Sequence, residues 1–125
     1  MVISMSQILL AIHTIFEAGA GITSFVTGTA PDGVKKQAQN GTYRLWKRWH
    51  ACGWLAMAHV GYLGMTDPSF KRSSIKIITP FHVTATIAVI LAAKEKTISW
   101  KDATIYNIHF YLALGFFALN WGVLE

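Results

Sequence analysis

Four long apolar stretches separated by short polar connections constrain this chain more than anything else in it. They cover about residues 3–27, 43–65, 75–93 and 103–121. Each is about 19 to 25 residues long. A helix rising about 1.5 Å per residue needs roughly 20 to cross the hydrocarbon of a bilayer. The runs are too long for strands and lack strict alternation. Only 14% of the 125 residues are charged, against about 25% in ordinary soluble domains. The fold expected is all-α: an integral-membrane, antiparallel four-helix transmembrane bundle in a single domain spanning residues 1–125. The competing expectation is a very apolar soluble bundle, because Glu17 and His13 lie inside the first span and Arg44, Lys47 and Arg48 open the second.

Breaks fall where the bundle needs them. Gly28, Pro31, Gly33 and Gly41 mark the first connection, and Asp67 and Pro68 the second. With the third span starting near residue 75, Pro80 falls in its first turns, where a missing N–H costs little. Aromatics gather at the span ends, as they do at headgroup level. Tyr43, Trp46, Trp49, Trp100 and Tyr106 lie toward one side, and Phe70 and Trp121 toward the other.

The net charge of +5 first suggests a nucleic-acid partner, but no basic stripe with interleaved aromatics is present. The charge reads better as topology. Lys35, Lys36, Arg44, Lys47, Arg48, Lys94, Lys96 and Lys101 belong to the first and third connections and their flanks. That is eight of the eleven basic residues. By the positive-inside rule these connections face the cytoplasm, matrix or stroma, and both termini face the opposite compartment. The expected location is a mitochondrial inner, thylakoid or bacterial inner membrane. The N-terminus does not read as a signal peptide, since it lacks a basic n-region and contains Glu17.

Ionisable groups inside a membrane usually face a bundle interior or a partner, so the five histidines are the first candidates. Counting rise from the span ends puts His13, His59 and His82 in one layer, about 9–15 Å from the side of the termini. His50 and His109 fall in a second layer, about 8–9 Å from the basic side. His50 and His59 are nine residues apart and therefore point to opposite sides of one helix. His13, Glu17, Gly21, Ser24 and Gly28 share a face of the first helix. Small residues there permit close packing, and His13 and Glu17 at i and i+4 are placed to pair. In the second helix His50, Gly53, Met57, Gly61 and Gly64 make a comparable stripe. In the third, His82 and Thr86 share a face, and in the fourth Tyr106, His109, Ala113 and Asn120 do.

Two ligand sets follow. One is the pair His50 and His109, suited to haem or chlorophyll because imidazole is a common axial ligand. The other is the trio His13, His59 and His82 with Glu17, suited to a metal. The bland alternative is interhelical hydrogen bonding by scattered polar groups. No H-E-x-x-H, G-x-S-x-G, P-loop or dinucleotide fingerprint occurs. The lone Cys52 excludes an internal disulfide and any Cys-rich zinc site. The first functional expectation is a non-catalytic accessory subunit of a large photosynthetic or respiratory complex, in contact with other membrane subunits and bound lipid. The alternatives are a small redox carrier or enzyme with histidine-held haem or metal, and a proton or solute carrier using Glu17 and His13. The topology predicts that in membrane vesicles protease reaches tags at both termini from the same side. Tags on opposite sides would mean an odd number of crossings.

Overall fold

The computed structural model describes residues 3–28, 41–105 and 108–124. Those residues form helices with no strand: α1 Met5–Thr27, α2 Gly41–Thr66, α3 Lys71–Lys94, α4 Trp100–Ile105 and α5 Ile108–Asn120. The all-α class is as expected. Pro31, Gly33, Lys35 and Lys36 of the first connection, and Tyr106, lie outside the described residues.

Helix α1 begins at a capping box. The Gln7 N–H donates to Ser4 Oγ (3.3 Å) while the Ser4 N–H donates to Gln7 Oε1 (3.0 Å), so two otherwise orphaned donors are satisfied. The helix ends at Gly28, whose φ of 66° is the left-handed conformation glycine adopts freely. Between these ends its buried face is Ser6, Leu10, His13, Glu17, Gly21 and Ser24. That is the polar, small-residue stripe read from the sequence, extended two turns back through Leu10 to Ser6. The opposite face is apolar and exposed, with Ile15 and Val26 at 74% and 70%.

Glycines set how closely the helices approach. A Cβ on Gly64 would meet Ser74 and Leu10, one on Gly61 would meet Thr14 and His13, and one on Gly21 would meet Leu55. Residue numbers thus rise along α1 as they fall along α2. Between α3 and α5, Asn120 meets Thr79 and His109 meets His82, so these numbers run oppositely too. The apolar core is Leu10, Ile75, Ile78, Leu112, Phe116 and Leu119.

The short link between α2 and α3 is held by Asp67. Its carboxylate accepts from the Ser69 N–H (2.9 Å) and hydroxyl (2.6 Å), which holds it below the usual carboxylate range. Helix α3 closes differently from α1. Lys96 takes a left-handed φ of 60°, and the Thr97 N–H reaches back to the Ala92 carbonyl. This is a Schellman end, built here on a non-glycine residue.

Two expectations change. Helix α3 starts at Lys71, not near residue 75, so Pro80 is inside the helix rather than in its first turns. Its missing N–H leaves the Lys76 carbonyl without its helical partner. The fourth expected span is helical through α4 and α5, and residues 106 and 107 between them lie outside the described residues. Second, among the described residues two helices rather than four, Met5–Thr27 and Lys71–Lys94, are by themselves long and apolar enough to cross a membrane. Helix α2 has the length but opens with Arg44, Lys47 and Arg48.

The glycine contacts yield a paired prediction. Gly61→Ala drives a methyl into Thr14 and His13 and should cost about 1–3 kcal/mol of stability. Gly53→Ala, with nothing within 4 Å of the new Cβ, should be neutral or stabilise by up to about 1 kcal/mol. Thermal unfolding in detergent measures both.

Candidate functional site

Three of the five histidines meet in the interior. His13 of α1, His82 of α3 and His109 of α5 form a continuous chain. His13 Nδ1 lies 2.8 Å from His82 Nε2, and His82 Nδ1 lies 2.9 Å from His109 Nδ1. The far nitrogen of His13, Nε2, lies 2.9 Å from the Met57 carbonyl on α2. A carbonyl only accepts, so this end fixes every proton in a chain of neutral rings. The His13 Nε2–H donates to Met57. His13 Nδ1 is then bare and accepts from the His82 Nε2–H. His82 Nδ1 is bare in turn and accepts from the His109 Nδ1–H. His109 is left with a bare Nε2.

The chain is clamped by aromatic rings. Phe116 is fully buried. It stacks on the His82 ring at an interplanar angle of 7° and meets the His13 ring edge-on with centroids 5.8 Å apart. Phe16 packs edge-on against His109 at 5.4 Å, and Phe81 touches all three imidazoles. The close approach at Gly61 carries the Met57 carbonyl within reach of His13.

Glu17 stands one turn along α1 from His13. Its relative exposure is 0%, and neither carboxyl oxygen has a hydrogen-bond partner among the described residues. Ligand atoms of His13, Glu17 and His82 all lie within 4.8 Å of one another. This is the donor set among the described residues that could hold a metal. Glu17 also lines a cavity of about 410 Å³ with His109, His50 and Lys47. The rest of its wall is apolar, including Phe16, Trp54 and Ala88.

The expected ligand sets are therefore re-sorted. His13, His82 and Glu17 come together as read, but His59 leaves that group. It is exposed and stacks loosely on Tyr62 at 6.5 Å. Helical phase explains the separation: His59 lies with Cys52 and Ala56, which are exposed too, while Ala58, Gly61 and Gly64 take the inner face. His50 is exposed by area yet reaches the cavity wall, and its Nδ1–H donates to the Trp46 carbonyl at 2.8 Å. His50 and His109 thus line one cavity, while His109 also joins the buried chain. The expected His13–Glu17 pairing is not made, because both His13 nitrogens are engaged elsewhere.

The Met57 carbonyl, Phe116 and Lys47 were not singled out as site residues from the sequence. For Phe116 a signal existed: His109, Ala113 and Phe116 follow the i, i+4, i+7 spacing of one helix face. Comparison with known protein families, curated proteins and solved structures finds no match.

The geometry predicts that His82→Ala leaves two ring nitrogens orphaned and should lower stability by at least about 2 kcal/mol. His59→Ala should stay within about 0.5 kcal/mol of wild type. Thermal denaturation in detergent separates the two.

Proposed function

We propose that the chain is an integral membrane protein, an antiparallel four-helix transmembrane bundle, working through its buried imidazole–carboxylate centre as a small ligand-binding or redox component. One observation carries this reading: Glu17 is fully buried with no hydrogen-bond partner among the described residues, beside linked imidazoles, in helices whose outer faces are apolar. A buried, unpaired carboxyl costs folding free energy. Ionisable groups at membrane depth are kept for what they bind or transfer. The inverted distribution supports the bilayer. Ser6, His13, Glu17, Ser24, Ser74 and His82 are inside, while Ile12, Ile22, Phe25 and Ile87 face out. In water that surface would be a large exposed apolar patch.

A second reading rests on the His50–His109 cavity. With its Nδ1–H given to Trp46, His50 keeps Nε2 for an axial bond to a haem or chlorophyll. The protein would then be an accessory subunit of an energy-transducing complex, its exposed Trp46, Trp49, Trp100 and Trp121 meeting headgroups or neighbouring subunits. Protein purified from its native membrane should in that case show a Soret or Q band and travel with partners. A colourless, free 13.8 kDa species excludes it.

The first reading makes a sharper prediction. The full chain should resist extraction from membranes by alkaline carbonate. Glu17→Met, which keeps the volume and removes the orphaned acid, should stabilise the ligand-free protein by about 1–3 kcal/mol. Destabilisation by that substitution would make Glu17 a structural residue and end this reading.

A further inference from the structure

We infer that His13, Glu17 and His82 form a divalent transition-metal site, and that filling it reverses the polarity of the histidine chain at the cavity wall. The inference rests on the reading of the Glu17 centre as the working part of the protein.

Elimination picks the donor atoms. His13 Nε2 is committed to the Met57 carbonyl, so His13 offers Nδ1. His82 Nε2 is the nitrogen facing it. Glu17 brings two oxygens that have no partner among the described residues. Metal-bound imidazoles nearly always hold their second nitrogen against an acceptor or other partner in the surrounding shell. Both such contacts exist already: Met57 O behind His13, and His109 Nδ1 behind His82.

The spacing suits the purpose. Ligand atoms about 2.0–2.1 Å from a tetrahedral ion are about 3.3 Å apart. His13 Nδ1 and His82 Nε2 now sit 2.8 Å apart, so they need to separate by only about half an ångström. Two imidazoles and one carboxylate, with no thiolate, suit Zn²⁺, Fe²⁺ or Co²⁺ rather than Ca²⁺ or Mg²⁺. Three protein donors leave a coordination position open. Glu17 lies on the cavity wall, so that position is within reach of a small, largely apolar molecule lodged there.

The change of polarity follows from counting ring protons. Without metal they sit on His13 Nε2, His82 Nε2 and His109 Nδ1. A metal on His82 Nε2 displaces its proton. The His109 Nδ1 proton shifts to His82 Nδ1, which now donates back to His109, and His109 takes a proton at Nε2. The proton displaced from His82 Nε2 is replaced from solvent at His109 Nε2, and any proton on the Glu17 carboxyl leaves to solvent as its oxygen binds the metal, so three ring protons remain and no imidazole changes charge. The cavity-lining His109 changes from a hydrogen-bond acceptor to a donor when the metal arrives. A ligand with a carbonyl or carboxylate oxygen at that wall would be held only by the metal-loaded form.

The test uses the full chain in detergent, stripped with chelator and titrated with Co²⁺ and Zn²⁺. One equivalent of Co²⁺ should bind with visible d–d bands. Glu17→Gln and His82→Gln should each weaken binding at least about tenfold, and His59→Gln should not. Thermal melting confirms that each variant is folded. Histidine ¹⁵N NMR with Zn²⁺ should move the His82 proton to Nδ1 and the His109 proton to Nε2. Absence of stoichiometric binding, or binding indifferent to Glu17→Gln, overturns the site. Binding with the His109 proton still on Nδ1 overturns the reversal. Retention in carbonate-washed membranes and stabilisation by Glu17→Met with no metal bound would sink the metal site alone. Metal binding by a chain that carbonate extracts would instead sink the membrane reading.

Discussion

The hydrogen bond from His13 to the Met57 carbonyl is the contact on which the interior depends. It joins α1 to α2 and sets the proton positions of three imidazoles on three helices. A main-chain carbonyl cannot donate, so the chain has one direction and one bare nitrogen at its far end. The bond forms only because Gly61 has no side chain. A Cβ there would occupy the space of Thr14 and the His13 ring. A glycine on one helix thus determines which nitrogen of a histidine on another is available for chemistry.

The molecule is organised around a polar centre with apolar surroundings on both sides. Phe116 packs against the histidine chain from within, while the outward faces of α1 and α3 carry isoleucine, valine and phenylalanine. Inside such a shell the interaction of charges and dipoles is stronger than in water, and an unmatched polar group is correspondingly costly. The imidazoles meet that demand by pairing with one another. Among the described residues Glu17 has no such partner, and that contrast is what supports the proposed role of Glu17. The cavity beside Glu17 and His109 gives the centre an opening without exposing the chain itself.

Much of this was legible in the sequence, and its failures have identifiable causes. The α1 face was readable because burial there follows a three-to-four spacing without interruption from Ser6 to Gly28. The opposite phases of His50 and His59 were readable for the same reason. Placing His59 beside His13 and His82 failed because depth alone carried that grouping, and depth says nothing about the side to which a side chain points. The start of α3 was misread because Lys71, Arg72 and Lys76 interrupt the apolar pattern without interrupting the helix.

The sequence by itself determined the helical class and the polar face of α1 that carries His13 and Glu17 inward. Periodicity and composition are local properties, and a helix expresses them whatever it packs against. Only the tertiary structure decided which histidines meet, which nitrogen each one offers and that Glu17 is left unpaired. Those outcomes depend on how closely α2, α3 and α5 approach α1. That approach is set by Gly61, Gly64 and Ser74 meeting residues far away in the chain, a relation that no spacing along one helix contains.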